Sequence, residues 1–267
     1  MLLKEKLQGI VPEEYLCKLS NRFHVIGDIA VLSLPSELEA YKKEIAWGVL
    51  SQGKHIRTVL NKTTRLEGER RVANFEHLAG DGMVTMHKEF GFVYHLDVTR
   101  VFFNSHLGHE RMRVASHVKA GERVLVPFAG VGPFAVPLAA RGARVVALEK
   151  NREACLWLAE NAWLNGVGEE IFIINADAFY VAQMIRPDFD RVVIPTPYGM
   201  DQFLEIALPM VKEGGMLHFY TFKKLHQIDG LKKRYEDMGL KVVYCRSCGN
   251  VAPGVCRWAF DMVKSRS

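Results

Sequence analysis

The chain has 267 residues, 49% hydrophobic and 24% charged, enough for one large domain or two modest ones with a sizeable core. Mean hydropathy is near zero, and no apolar run reaches the roughly 18 residues of a membrane-spanning helix. The start, MLLKEKLQGIVPEEY, is too charged for a signal peptide, so a cytoplasmic location is expected, and the net charge of +5 is mild.

In chain order, the first twenty residues predict a helix, with Leu2, Leu3, Ile10, Leu16 and Leu19 among charges. Phe23–Pro35 is β-rich and closes at a proline. SELEAYKKEIAWGVLSQG predicts a helix with Ser36 as N-cap, Glu39 at the capping-box position and Gly53 as stop. Basic residues concentrate between Lys42 and Arg71, with Lys54, Arg57 and Arg65 among them. That concentration reads either as a solvated face or as a phosphate-contacting surface. GMVTMHKEFGFVYHLDV alternates apolar and polar residues and predicts a hairpin or meander. These elements make a small α+β domain whose regular structure ends near Asn104, and the domain is assigned to residues 1–115.

From Gly121 strands alternate with helices, which predicts a mainly parallel α/β sheet over residues 116–267. The expected strands are Val124–Phe128, Arg144–Leu148, Ile171–Asn175, Arg191–Ile194, Met216–Thr221, Lys241–Tyr244 and Arg257–Val263. Helices are expected at Gly132–Arg141, Arg152–Asn165, Met200–Lys212 and Leu225–Met238, and the last two strands form a hairpin that adds an antiparallel edge strand.

Strand, glycine turn, helix, strand and acid follow one another in VLVPFAGVGPFAVPLAARGARVVALEKN, the plan of a nucleotide cradle. Gly130 and Gly132 let the backbone approach a ligand, and Glu149 is placed to accept hydrogen bonds from two ribose hydroxyls. The dinucleotide fingerprint lacks its third glycine, so S-adenosylmethionine fits better than a dinucleotide. Asp177 in NADAF, just past the third strand, suits the adenine amino group, with Asn175 and Phe179 flanking the ring. Cys245, Cys248 and Cys256 form a C-x-x-C and a third thiol without a fourth ligand at usual spacing, so reduced thiols and no metal are expected.

VIGDIAVL, EHLAG, LDVTRVFFNSHLGHERMRVA, VPFAGVGPF, ALEKN, NADAF and APGV are spread over nearly the whole chain. They resemble the tRNA guanine-N1-methyltransferases that modify the guanine next to the anticodon, and also their relatives, the aminocarboxypropyl transferases of wybutosine synthesis. The resemblance implies a class I S-adenosylmethionine-dependent methyltransferase fold (Rossmann-like) preceded by a small α+β domain that contacts tRNA. It implies that Glu110 of GHER removes the guanine N1 proton and that Arg71 steadies the charge developing on O6. Arg111 beside the base would fix it or a phosphate, and Phe102, Phe128 and Lys150 join the cofactor set.

Two positions depart from the family pattern. His106 stands where the methyltransferases carry an arginine, and Pro195 of PTPYG stands where they carry an asparagine. Proline offers neither an N–H nor an amide side chain, so a base-holding contact is lost and Tyr198 is left to stack on a flipped base. Length and APGV look like the aminocarboxypropyl enzymes, whereas AGVGPF and L-x-x-ER look like the methyltransferases. Methyl transfer to a tRNA purine is the reading carried forward. Aminocarboxypropyl transfer, a retargeted methyltransferase and a tRNA-binding module without chemistry stay open.

Overall fold

The computed structural model describes residues 3–21, 23–52, 55–64 and 73–266, and divides into two compact units, 1–105 and 106–267. In the first unit the expected N-terminal helix is two short ones, α1 (Leu3–Lys6) and α2 (Glu13–Leu16). Gly9 takes a φ of +78° and Pro12 follows, so no single helix can run through. Strands β1 (His24–Ile26) and β2 (Ile29–Leu32) make a hairpin around Gly27 and Asp28, with Gly27 supplying the positive φ of a two-residue turn.

Ser36 does not cap a helix as expected. It begins a 3-10 turn, Ser36–Tyr41, in which Glu39 pairs with Lys42 rather than reaching back, and α3 (Lys42–Leu50) follows. Gly53 lies outside the described residues. β3 (Thr58–Lys62) lies parallel to β2, and β4 (Phe75–Gly80) pairs antiparallel with β3. Leu3, Leu7, Leu38, Ile45 and Val49 pack on the four-stranded sheet as one core. The expected hairpin is present as β5 (Val84–Glu89) and β6 (Phe92–Asp97).

The second unit begins earlier than the boundary expected at residue 115. Helix α4 (Gly108–Ser116) belongs to it because Val114 and Ala115 are buried there and Arg113 is tied to the last strand. Then come β7 (Arg123–Pro127), α5 (Ala135–Ala139), β8 (Arg144–Glu149), α6 (Arg152–Leu164), β9 (Ile171–Asn175) and α7 (Val181–Met184). They are followed by β10 (Phe189–Ile194), α8 (Phe203–Ala207), β11 (Val211–Lys223), α9 (Ile228–Asp237), β12 (Leu240–Ala252) and β13 (Val255–Lys264). The helix expected over Met200–Lys212 is shorter: Pro209 sits in a 3-10 turn after α8, and Val211 already starts β11.

The sheet order is β12-β13-β11-β10-β7-β8-β9, with β11, β10, β7, β8 and β9 parallel to one another and β13 antiparallel to both of its neighbours. The hairpin therefore inserts its second strand into the sheet and leaves β12 outside. Val124–Val126 and Val192–Ile194 are fully buried, as parallel strands covered on both faces require. No helix among the described residues is long and apolar enough to cross a membrane.

Candidate active site

The glycine turn leaves β7 in an unusual backbone conformation. Phe128, Gly130 and Gly132 have φ of +56°, +56° and +92°. A bulky residue in the left-handed region costs roughly 1–3 kcal/mol, and such strain collects at functional sites. The Phe128 ring is fixed by edge-on packing, 4.7 Å from the Phe203 centroid and 6.4 Å from Phe179. A Cβ on Gly132 would lie 2.3 Å from Leu158 Cδ1, so this position brings the turn down onto α6. There the buried Asn161 donates its side-chain amide to the Val131 carbonyl at 3.0 Å.

Glu149 closes the turn from the end of β8. Its Oε2 accepts from the Gly130 amide and its Oε1 from the Asn151 amide, each at 2.8 Å. The Lys150 amide also acts on this carboxylate, which has about four acceptor sites, so at least one remains for a ribose hydroxyl. Burial pushes the Glu149 carboxyl above its ordinary value, against the pull of these amides. Asn175 donates to the carbonyls of Glu149 and Lys150 and so pins the strand end. Lys150 pairs with Asp177 at 3.2 Å, while Asp177 also accepts from the Phe179 amide at 3.1 Å. An acid with an open acceptor site, a second acid past β9 and aromatic rings nearby fit the adenosine part of S-adenosylmethionine.

Glu110, on α4, sits in a built anionic site. Arg113 grips it bidentately, Nε to Oε2 at 2.9 Å and Nη2 to Oε1 at 2.7 Å, and the Tyr220 hydroxyl donates to Oε1 at 2.7 Å. The Tyr220 ring lies 5.5 Å from Phe134, which follows the glycine turn, so the acid and the turn share one neighbour. Burial and the Glu110 charge push the Tyr220 hydroxyl well up, which keeps it a donor.

Arg113 also grips Asp261 of β13 at 2.5 and 3.0 Å, and Asp261 lies 2.7 Å from Nδ1 of the fully buried His218. Arg191 can only donate, so its 2.5 Å contact makes His218 Nε2 the acceptor and gives Nδ1 the proton that goes to Asp261. Arg191 ends the chain on Glu122 at 2.9 Å. Burial raises the Asp261 carboxyl, but His218 and Arg113 outweigh it and hold it well below the usual range.

Glu110 and Arg111 share α4, Arg111 being buried, and Tyr198 is exposed with its ring 5.2 Å from Phe222. Phe102 belongs to the first unit, where it lines a cavity of about 190 Å³ with His24, Lys62 and Phe75. Arg71 lies outside the described residues, as do Lys54 and Arg65. Within the basic stretch, Lys42 is paired with Glu39 and Glu76, and Arg57 with Asp28 at 2.9 Å. The cysteines are free thiols, and no group of three or more His, Cys, Asp or Glu among the described residues is placed to hold a metal. Sequence reasoning passed over Arg113, Tyr220, Asp261 and His218. The one legible signal was an acid and a histidine inside apolar strands, in WAFDMV and MLHFY.

A seven-stranded sheet with this order, a glycine turn after its central strand and an acid closing the next strand define a class I S-adenosylmethionine-dependent methyltransferase fold. The model for the TRM5/TYW2 methyltransferase domain matches residues 85–243, and that for the TYW2 N-terminal domain matches residues 3–83. The chain belongs to the TRM5/TYW2 methyltransferase family.

It is 36% identical over 213 residues to the tRNA (guanine(37)-N(1))-methyltransferase Trm5b of Pyrococcus abyssi, covering 79% of this chain and 63% of that enzyme's length. It is 34% identical over 221 residues to the tRNA(Phe) (4-demethylwyosine(37)-C(7)) aminocarboxypropyltransferase of Pyrococcus horikoshii, covering 82% of this chain and 78% of that one. Among solved structures, the complex of aTrm5 with tRNALeu superimposes with a TM-score of 0.88 at 29% identity, over 98% of this chain and 78% of that one.

Proposed function

We propose that the chain is an S-adenosylmethionine-dependent, cytoplasmic tRNA-modifying enzyme that methylates N1 of a guanine next to the anticodon. The observation that carries this reading is the Glu110 carboxylate beside the glycine turn. Guanine N1 keeps its proton at neutral pH, so its methylation needs a base at the nitrogen. Three of about four acceptor sites on Glu110 are taken, and the remaining one, on Oε2, is available for that proton.

When bound, the cofactor supplies a carbon activated by a sulfonium. The rest is the work of the chain. Glu149 and the Gly130 turn orient the adenosine portion, with Asp177, Asn175, Lys150 and Phe128 around it. Arg113 and Tyr220 hold the base, and Tyr198 stacks on the target nucleobase. The first unit is proposed to contact the tRNA; Arg71 is assigned to the charge on O6, Phe102 to the cofactor and Arg111 to fixing the base or a phosphate. A positioned base of this kind contributes roughly 10²–10⁴-fold to rate.

Aminocarboxypropyl transfer is the second reading, favoured by the TYW2 N-terminal match over residues 3–83 and by Pro195 in place of an amide side chain. The test offers tRNA together with S-adenosylmethionine labelled in the methyl or in the carboxyl carbon. Methyl label alone in the tRNA supports the first reading. Carboxyl label in the tRNA establishes the second, and no label from either cofactor refutes a tRNA substrate.

A further inference from the structure

Arg257 is a partly buried cation with no acidic partner among the described residues. Its Nε is buried and finds no hydrogen-bond acceptor, and no carboxylate reaches ion-pair distance of its guanidinium among the described residues. The guanidinium lies 4.8 Å over the Phe222 ring, the residue opposite it on β11. Its electrostatic neighbours do not help: Arg111 is a like charge, and burial first, then the Glu110 charge, pushes the Cys248 thiol up to about 12, so that thiol is neutral. A lone charge in such a place is costly unless an anion arrives to pair with it.

Its position in the sheet indicates which anion. β13 runs antiparallel to β11, so Arg257 near its start lies at the end where β10 and β11 finish and where PTPYG begins. Open α/β sheets bind their ligands at that end. In the order β7-β10-β11-β13, Arg257 stands three strands from the glycine turn, about 14 Å at ~4.8 Å per strand. That is the side of Tyr198, whose ring is 5.2 Å from Phe222, and away from Glu149 on β8. Phe222 thus adjoins both Tyr198, whose ring is tilted 51° against it, and the Arg257 guanidinium, so an aromatic ring and a cation share one neighbour.

We propose that Arg257 binds a backbone phosphate of the RNA substrate, next to the nucleotide that Tyr198 stacks upon. The inference rests on the reading that the substrate is RNA. It explains why an uncompensated guanidinium is kept at this edge, since a planar fork matches two phosphate oxygens. It also sets a signature that packing alone would not produce, because the free enzyme gains stability when the charge is removed while RNA binding suffers.

The experiment compares the full-length chain with Arg257→Met and Arg257→Lys, using a tRNA anticodon stem-loop as probe. The expected result for Arg257→Met is a higher urea midpoint, about tenfold weaker stem-loop binding, unchanged S-adenosylmethionine affinity, and a salt dependence reduced by about one phosphate contact. Arg257→Lys restores part of the RNA affinity. A loss of cofactor affinity with RNA binding intact would assign the anion to the cofactor carboxylate and overturn the proposal. Unchanged RNA binding in Arg257→Met, with the wild type binding normally, would make Arg257 a packing residue. If the wild type itself shows no salt-dependent stem-loop binding, the RNA reading falls and takes this proposal with it.

Discussion

Tyr220 donates its hydroxyl to Glu110 at 2.7 Å while the same ring lies 5.5 Å from Phe134 of the glycine segment. One side chain thus couples the proposed base to the turn proposed to receive the cofactor. Tyr220→Phe keeps the ring and deletes the donor. The expected outcome is about a tenfold lower single-turnover rate, near 1.4 kcal/mol, with cofactor affinity unchanged in calorimetry.

The buried chain behind Glu110 makes stability depend on pH. Burial lowers the His218 pKa below its ordinary value, with Asp261 pulling the other way. The unfolded histidine takes a proton near pH 6.5 and the folded one does not, so stability falls as pH drops below that value, by at most about 1.4 kcal/mol per pH unit. Asp261 has a depressed folded value, so its contribution holds above the unfolded carboxylate value near 3.9 and is lost only below it. Between pH 7 and 5 Asp261 adds no slope and Glu149, raised by burial, acts in the opposite sense, so His218 is the group that makes stability fall. Urea midpoints across that range are expected to fall for the wild type and to flatten in His218→Asn.

The parallel half of the second unit was legible because its strands are buried on both faces and announce themselves as apolar runs. The glycine turn and Glu149 were legible because both act within one strand-turn-helix-strand unit. Arg113 and Asp261 are separated by 148 positions, and only the insertion of β13 beside β11 brings them together. No local pattern carries that pairing. The N-terminal helix failed for the opposite reason, since its apolar residues are real core but Gly9 and Pro12 make them belong to two short helices. The capping box failed because Lys42 offers Glu39 a stronger partner than a backbone amide.

Two glycines with similar backbone angles separate strain from crowding. Gly132 has φ +92° and a Cβ there would meet Leu158 Cδ1 at 2.3 Å, whereas Gly166 has φ +69° and open space around it. Gly166→Ala is expected to lose about 1 kcal/mol in urea unfolding, the cost of the left-handed conformation alone. Gly132→Ala is expected to lose about 2–3 kcal/mol and to weaken S-adenosylmethionine binding as well, because Leu158 or the turn must move.

The central claim is that Glu110 takes the N1 proton. Its most direct test is single-turnover methylation of tRNA by Glu110→Gln, with S-adenosylmethionine affinity measured on the same preparation. A rate lower by roughly 10²-fold or more with cofactor affinity intact is the predicted result. An unchanged rate, or a rate loss matched by an equal loss of cofactor affinity, would contradict it.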